Sequence, residues 1–257
     1  MRIPTRQNRN RQPTNSRQSI PAPHGGWNVR DSIADMPTED AVFMDNWIAR
    51  DQNIELRRGF QVHASGMTGQ LETIMEWAGP ASQKMFSAVT TSIFDTTAPG
   101  AVGAADITGL TNAQWQWVNF STAGGDFLVA ANGDDEVRNY DGTTWTTPTL
   151  TGGPGTPAGS DLDNVHVFKE RLFFIEKSSM SYWVLPVKSI AGTMTEVPLG
   201  SFTVKGGHIV AQSSWTLDGG AGVDDLLVTI TSNGEVLVFQ GTDPTDATAW
   251  EIGRAHV

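Results

Sequence analysis

Four times along the chain, a short run rich in β-branched, aromatic and aliphatic residues meets a cluster of turn residues and reverses into a second such run. The pairs span Lys84 to Phe94 about Thr90-Thr91, Phe127 to Tyr140 about Asn132-Gly133, Leu172 to Val184 about Lys177-Ser178-Ser179, and Leu226 to Phe239 about Ser232-Asn233-Gly234. Each reads as a β-hairpin, because Asn-Gly and its equivalents reach positive φ at little steric cost and so match the twist of the flanking strands. From turn centre to turn centre the steps are about 42, 45 and 55 residues, close to the spacing of propeller blades. The same series also fits a sandwich; the spacing favours a propeller-like array.

Between the hairpins, Gln114 to Thr122 alternates with Trp115, Trp117, Val118 and Phe120 as its apolar positions, which predicts a strand leading into the second hairpin. Asp141-Gly142-Thr143-Thr144-Trp145 predicts a turn in which the Asp side chain accepts backbone N–H groups while Trp145 drops onto the sheet. Thr151 to Ser160 is a Gly/Pro loop that could divide two halves, Lys205-Gly206-Gly207 a turn between two β segments, and Asp218 to Asp225 a further loop. Upstream, Thr38 is placed to cap a short helix carrying Ala41, Val42, Met44, Asp45, Trp47 and Ile48, and Ile54 to Phe60 alternates as a strand with one wet face. The expected fold is all-β: a β-propeller-like array of antiparallel hairpins behind a short helical N-terminal segment. The chain divides into a flexible basic arm (1–24), a lead-in segment with a short helix and strand (25–66) and the propeller-like body (67–251). Residues 252–257, Ile-Gly-Arg-Ala-His-Val, resemble the peptide encoded by a common sequencing adapter, so a C-terminally truncated chain is expected.

Composition narrows the class. The 257 residues include 27 Gly and 13 Pro with 18% charged residues, a balance that favours turn-rich β structure over helices. Zero Cys excludes disulfides and thiolate metal sites. No apolar stretch approaches the length of a membrane span, and Met1 to Gly26 lacks the apolar core of a secretory signal, so a cytoplasmically made protein outside the membrane is expected. Net charge is −11; Arg2, Arg6, Arg9, Arg11 and Arg17 precede every acidic residue, and removing those five leaves the rest at −16. An acidic body repels phosphate and argues against a duplex-gripping domain, while the arm could order against an acidic neighbour or nucleic acid.

Reactive constellations are sparse. His24, His63, His166, His208 and His256 show no i, i+4 pair for a metal, and neither a Gly-x-Ser-x-Gly elbow nor a phosphate-binding Gly-Lys-Ser/Thr loop occurs. Asp134/Asp135 and Asp224/Asp225 are paired carboxylates of the kind glycoside cleavage uses, and adjacent acids in turns are ordinarily solvated. Asp218 to Asp225 alternates oxygens with Gly but fits no standard calcium loop. No catalytic residue, metal or cofactor is expected. The Asp141 to Trp145 turn is similar to the Asp-box of sialidase-type propellers, a turn-stabilising device that speaks for fold and not for activity.

Gly25 to Asp31, Ala41 to Trp47 and Leu56 to Phe60, followed by Trp115 to Asp126, Asn139 to Trp145, Asn164 to Glu176 and Gly234 to Pro244, together resemble a family of bacteriophage and prophage virion structural proteins. Within it, the propeller-bearing tail nozzle, or tail tubular, proteins and the DNA-stabilising tail hubs of short-tailed phages are the functional models. The resemblance implies a ring-forming subunit in the virion, assembled in the bacterial cytoplasm beside portal, adaptor or tail proteins, that retains DNA and lets it pass. It also implies a structural signature of Trp27, Asp31, Asp45, Trp47, Arg58, Asp141 and Trp145, the first five fixing the lead-in segment onto the body. The alternative is a carbohydrate-binding propeller stacking sugars on Trp183 or Tyr140; an enzyme trails both.

Overall fold

The computed structural model describes residues 19–218, 223–246 and 248–255. Most of the basic arm, the centre of the Asp218 to Asp225 loop and the last two residues of the adapter-like peptide lie outside them. The chain divides into two units, Met1–Gln61 and Val62–Val257.

In the first unit, β1 (Gly26–Trp27) pairs in parallel with β2 (Asp40–Ala41), and β3 (Trp47–Ala49) pairs antiparallel with β4 (Ile54–Leu56). The short helix expected after Thr38 is absent, and the segment is turn and strand. Thr38 Oγ1 donates to the neighbouring Glu39 carboxylate and caps no amide, Asp40 and Ala41 are taken by the ladder to β1, and Asn46 sits at φ 60°. Val42 and Phe43 are exposed, so a helix here would have had no apolar surface to lie against.

The second unit is built of four four-stranded antiparallel sheets, each a simple meander. After β5 (Ala64–Ser65), sheet one comprises β6 (Leu71–Ala78), β7 (Gln83–Val89) and β8 (Ser92–Asp95), then β9 (Gly100–Ala101) returns to pair with β5 before β10 (Ile107–Thr108) closes the sheet. Sheet two is β11 (Gln116–Thr122), β12 (Gly125–Ala131), β13 (Arg138–Tyr140) and β14 (Trp145–Thr146). Sheet three repeats the plan of sheet one: β15 (Leu150–Thr151), a 3-10 turn at Gly159–Asp161, β16 (Leu162–Phe168), β17 (Arg171–Glu176), β18 (Ser181–Val184), β19 (Gly192–Thr193) and β20 (Thr195–Pro198). Sheet four is β21 (Ile209–Asp218), β22 (Val223–Thr231), β23 (Val236–Gly241) and β24 (Trp250–Ala255), so part of the adapter-like peptide pairs as its last strand.

The four hairpins expected from the sequence are present, each as the second and third strands of one sheet. Two details differ. Asn132-Gly133 opens a six-residue loop in place of a two-residue turn, because the Asn132 side chain accepts the amides of Asp134 and Asp135 and winds the chain locally. Of the two segments expected around Lys205-Gly206-Gly207, only the second, β21, is a strand.

Sheets one and three share a device invisible in the pattern of residues. In each, a short strand ahead of the sheet pairs in parallel with a short strand between its third and fourth members, at Ala64↔Gly100 and Leu150↔Gly192. Both glycines are in the positive region, at φ 118° and 110°, and their amides donate to His63 and Thr149 at 2.8 and 2.9 Å.

Three cores lie between successive sheets. Met75, Phe86, Ile93, Leu128 and Tyr140 fill the first, between sheets one and two; Phe120, Val129, Leu172, Phe174 and Trp183 the second, between sheets two and three; Phe173, Tyr182, Leu227, Leu237 and Phe239 the third, between sheets three and four. The second core spans the Thr151 to Ser160 loop, which therefore does not divide the body. Each fully buried apolar side chain of this size contributes about 1.5–3 kcal/mol. Among the described residues no helix is long and apolar enough to cross a membrane.

Candidate functional site

The aspartate turn closes the first inter-sheet core. Asp141 Oδ1 accepts the amides of Thr143 and Thr144, both at 2.8 Å, and the amide of Asp141 reaches the Thr144 carbonyl. Those amide bonds, from Thr144 and then Thr143, hold the Asp141 carboxyl below the usual carboxylate range. Trp145 drops onto the sheet as expected, its ring edge-on to Phe86 at 4.9 Å and tilted against Tyr140 at 5.2 Å.

The glycine of the turn has a specific reason. Gly142 stands at φ 95°, and a Cβ there would come within 2.7 Å of the Trp77 ring of sheet one. Trp77 meets Tyr140 edge-on at 5.7 Å, and its indole N–H donates to the Asp126 carbonyl at 2.9 Å, so one tryptophan of β6 ties sheet one to two places on sheet two. Neighbouring bonds do the same: Thr73 Oγ1 donates to the Ala113 carbonyl and accepts the Trp115 amide, while the Asn119 amide group donates to the Glu76 carbonyl.

Beside the turn is a polar cleft of about 390 Å³ lined by Lys84, Asp95, Asp106, Tyr140, Thr144 and Trp145. Lys84 Nζ meets Asp95 at 2.6 Å. Burial works to raise the Asp95 carboxyl, and the bonds from Lys84 and Thr97 outweigh it, leaving it lowered. Burial, reinforced by the Asp95 charge, raises Asp106. Lys84 and Asp95 neutralise each other, and the cleft lines up no nucleophile, base and orienting partner.

Four further aspartates form cross-links. Asp134 meets Lys177 of sheet three at 2.6 Å, which lowers its carboxyl, while Asp135 accepts the Thr111 amide and the Asn132 side chain. Asp225 accepts from Thr216 at 2.9 Å and pairs with Lys169 of sheet three at 3.4 Å. Arg171 of sheet three meets Asp243, in the loop between β23 and β24, at 2.6 Å. Among the described residues no group of three or more His, Asp or Glu is placed to hold a metal ion. Tyr140 and Trp183, the rings considered for sugar stacking, are buried to 4% and 3% exposure and present no face to a sugar.

In the first unit, Trp27 donates its indole N–H to the Val42 carbonyl at 3.0 Å. The Asn28 side chain donates to the Asp31 and Asp40 carboxylates at 2.9 and 2.7 Å and accepts the Arg30 and Asp31 amides, so Asp31 belongs to a local knot. Trp47 pairs with Leu56 across β3 and β4. Asp45 and Arg58 are exposed and make no side-chain bond among the described residues. The structure thus joins Asp141 with Trp145, and Trp27 with Asp31 through Asn28 and the β1 ladder.

Asn28, Trp77 and Glu235 escaped the sequence reading. Glu235 is 1% exposed and accepts the amides of Val204 and Lys205, pinning the loop ahead of β21. The alternation Met75-Glu76-Trp77 in β6 was a usable signal for Trp77; nothing local marks Glu235, whose partners lie some thirty residues away. Comparisons with protein families, curated proteins and solved structures give no match for this chain.

Proposed function

We propose that the chain is a non-enzymatic structural component of a bacteriophage virion, a ring-forming subunit at the tail or portal vertex that neighbours portal, adaptor or tail proteins and helps retain and pass DNA. One observation carries this reading: the three consecutive sheet-on-sheet cores, in which sheets two and three are buried on both faces. Close-packed interiors of this kind are stiff, which suits a part that bears load at the exit of a filled capsid. The distribution of acids is in keeping with it, since Asp134, Asp141, Asp225 and Asp243 hold turns and bridge sheets. With −11 overall and −16 outside the first seventeen residues, the body repels phosphate, so DNA would slide along it without sticking. The basic arm would dock on an acidic adaptor surface. Mixing the purified chain with portal complexes and imaging the product by electron microscopy should reveal added ring density. A chain that stays apart from portal and tail proteins and remains monomeric at every concentration would overturn the reading.

A further inference from the structure

The first core ends in charged side chains. Asp95 is the cross-strand partner of Phe86, and Lys84 lies two residues before Phe86 on β7, so both stand on the face of sheet one that this core covers. In sheet three the pair Phe173↔Val184, on the face toward the next sheet, is apolar and buried in the third core. At the rim of the first core the two sheets leave instead the cleft of about 390 Å³, walled on the sheet-one side by Lys84, Asp95 and Asp106 and on the sheet-two side by Tyr140, Thr144 and Trp145. Its volume is in the range of small-ligand sites, about 300–1,000 Å³.

Unused hydrogen-bonding groups converge there. Tyr140 is 4% exposed, its ring held by Trp77, Phe86 and Trp145, and its hydroxyl faces Lys84, Asp95 and Asp106 with no hydrogen bond among the described residues. A buried tyrosine ordinarily finds a partner for its hydroxyl, and this end of the fold supplies none. The indole N–H of Trp145 is buried, lies toward Asp106 and closes no hydrogen bond of good geometry. Lys84 carries three N–H donors and gives one to Asp95.

We propose that the cleft binds a neutral hexose, with Lys84 donating to one hydroxyl, Asp106 accepting from another, the Tyr140 hydroxyl bonding between them and the half-buried Trp145 ring forming the apolar wall. Charge selects this class of ligand. An anion would meet two carboxylates against one ammonium, and a cation would meet Lys84 at close range, whereas a hexose donates and accepts without a charge that either sign opposes. Tyr140 takes part through its hydroxyl alone, since its ring is packed in the core. A single copy of the chain is enough for this site, which is therefore independent of ring formation.

Saturation-transfer difference NMR on the full chain should show transfer to at least one of glucose, galactose and mannose at about 10 mM, with a Kd of about 1 mM, as befits a small ligand in an open site. Tyr140→Phe removes the hydroxyl and keeps the ring contacts, and should weaken binding about fivefold with an unchanged or raised Tm. Asp106→Ala, at an exposed position just ahead of β10, should weaken it about tenfold. Absence of transfer to all three sugars overturns the proposal, as does binding that both variants leave unchanged, which would put the sugar elsewhere on the molecule. Tighter binding of tetramethylammonium or of inorganic phosphate than of any sugar would make the cleft an ion site and overturn it as well.

Discussion

Sheets three and four are woven from the same kind of strand and end in different surroundings. In β17 the adjacent Phe173 and Phe174 point to opposite faces, and both are fully buried, one in the third core and one in the second. In β22 Leu227 is fully buried, Leu226 and Val228 are half-buried, and Ile230 is 44% exposed. The strands do not account for the difference; the neighbours do. A continuous apolar run determines that a strand can be covered twice, and the position of its sheet in the array determines whether it is.

That contrast can be broken by substitution. Phe174→Ala should cost about 3–5 kcal/mol in urea unfolding, since it empties space between two sheets. Gly142→Ala should cost about 2–4 kcal/mol, because it combines an unfavourable φ with a clash against Trp77 between sheets one and two. Glu235→Ala should cost about 2 kcal/mol by depriving the amides of Val204 and Lys205 of their buried charged acceptor, and amide exchange in that loop should quicken. The smallest effect sharpens the comparison most: Val238→Ala, on the face of sheet four opposite the third core, should cost less than about 1 kcal/mol. A loss as large as that of Leu237→Ala on the opposite face of the same strand would show that both faces of sheet four are covered in solution.

Charge gives a further contrast with opposite signs. Burial raises the Asp163 carboxyl, and its Oδ1 finds no hydrogen-bond partner among the described residues. A raised carboxyl stabilises the fold when protonated and loses that contribution as pH rises through its folded pKa. Asp163→Asn should therefore raise Tm by about 2–4 °C at pH 7, and the gain should vanish below about pH 4, the ordinary carboxylate range. Asp141 behaves inversely: its lowered carboxyl contributes fully above that range and loses the contribution as pH falls through its folded pKa. Asp141→Ala should cost about 1 kcal/mol at pH 7 and progressively less in acid.

The aspartate turn and the four middle hairpins were legible because their causes are local. Asp141 reaches amides two and three residues on, and Gly234 and Ser178 supply the positive φ that reverses the chain where turn residues cluster. The supposed helix after Thr38 misled because a capping residue and a loose apolar spacing say nothing about whether a surface waits to receive them; Asp40 and Ala41 were claimed instead by Gly26 and Trp27. The outer strands were missed since β10, β14 and β20 are too short to carry a pattern, and exist only because a longer strand offers them an edge.

By itself, then, the sequence determined an all-β chain, the middle hairpin of every sheet and the chemistry of the aspartate turn, since each rests on backbone preferences and on side chains reaching a few residues along. Only the tertiary structure decided that Trp77 would lie against Gly142, that Glu235 would hold a loop thirty residues away, and which face of each sheet would be covered. Those outcomes depend on which surfaces meet after the chain has closed long loops, and the entropy of closure carries no mark in the residues that are finally brought together.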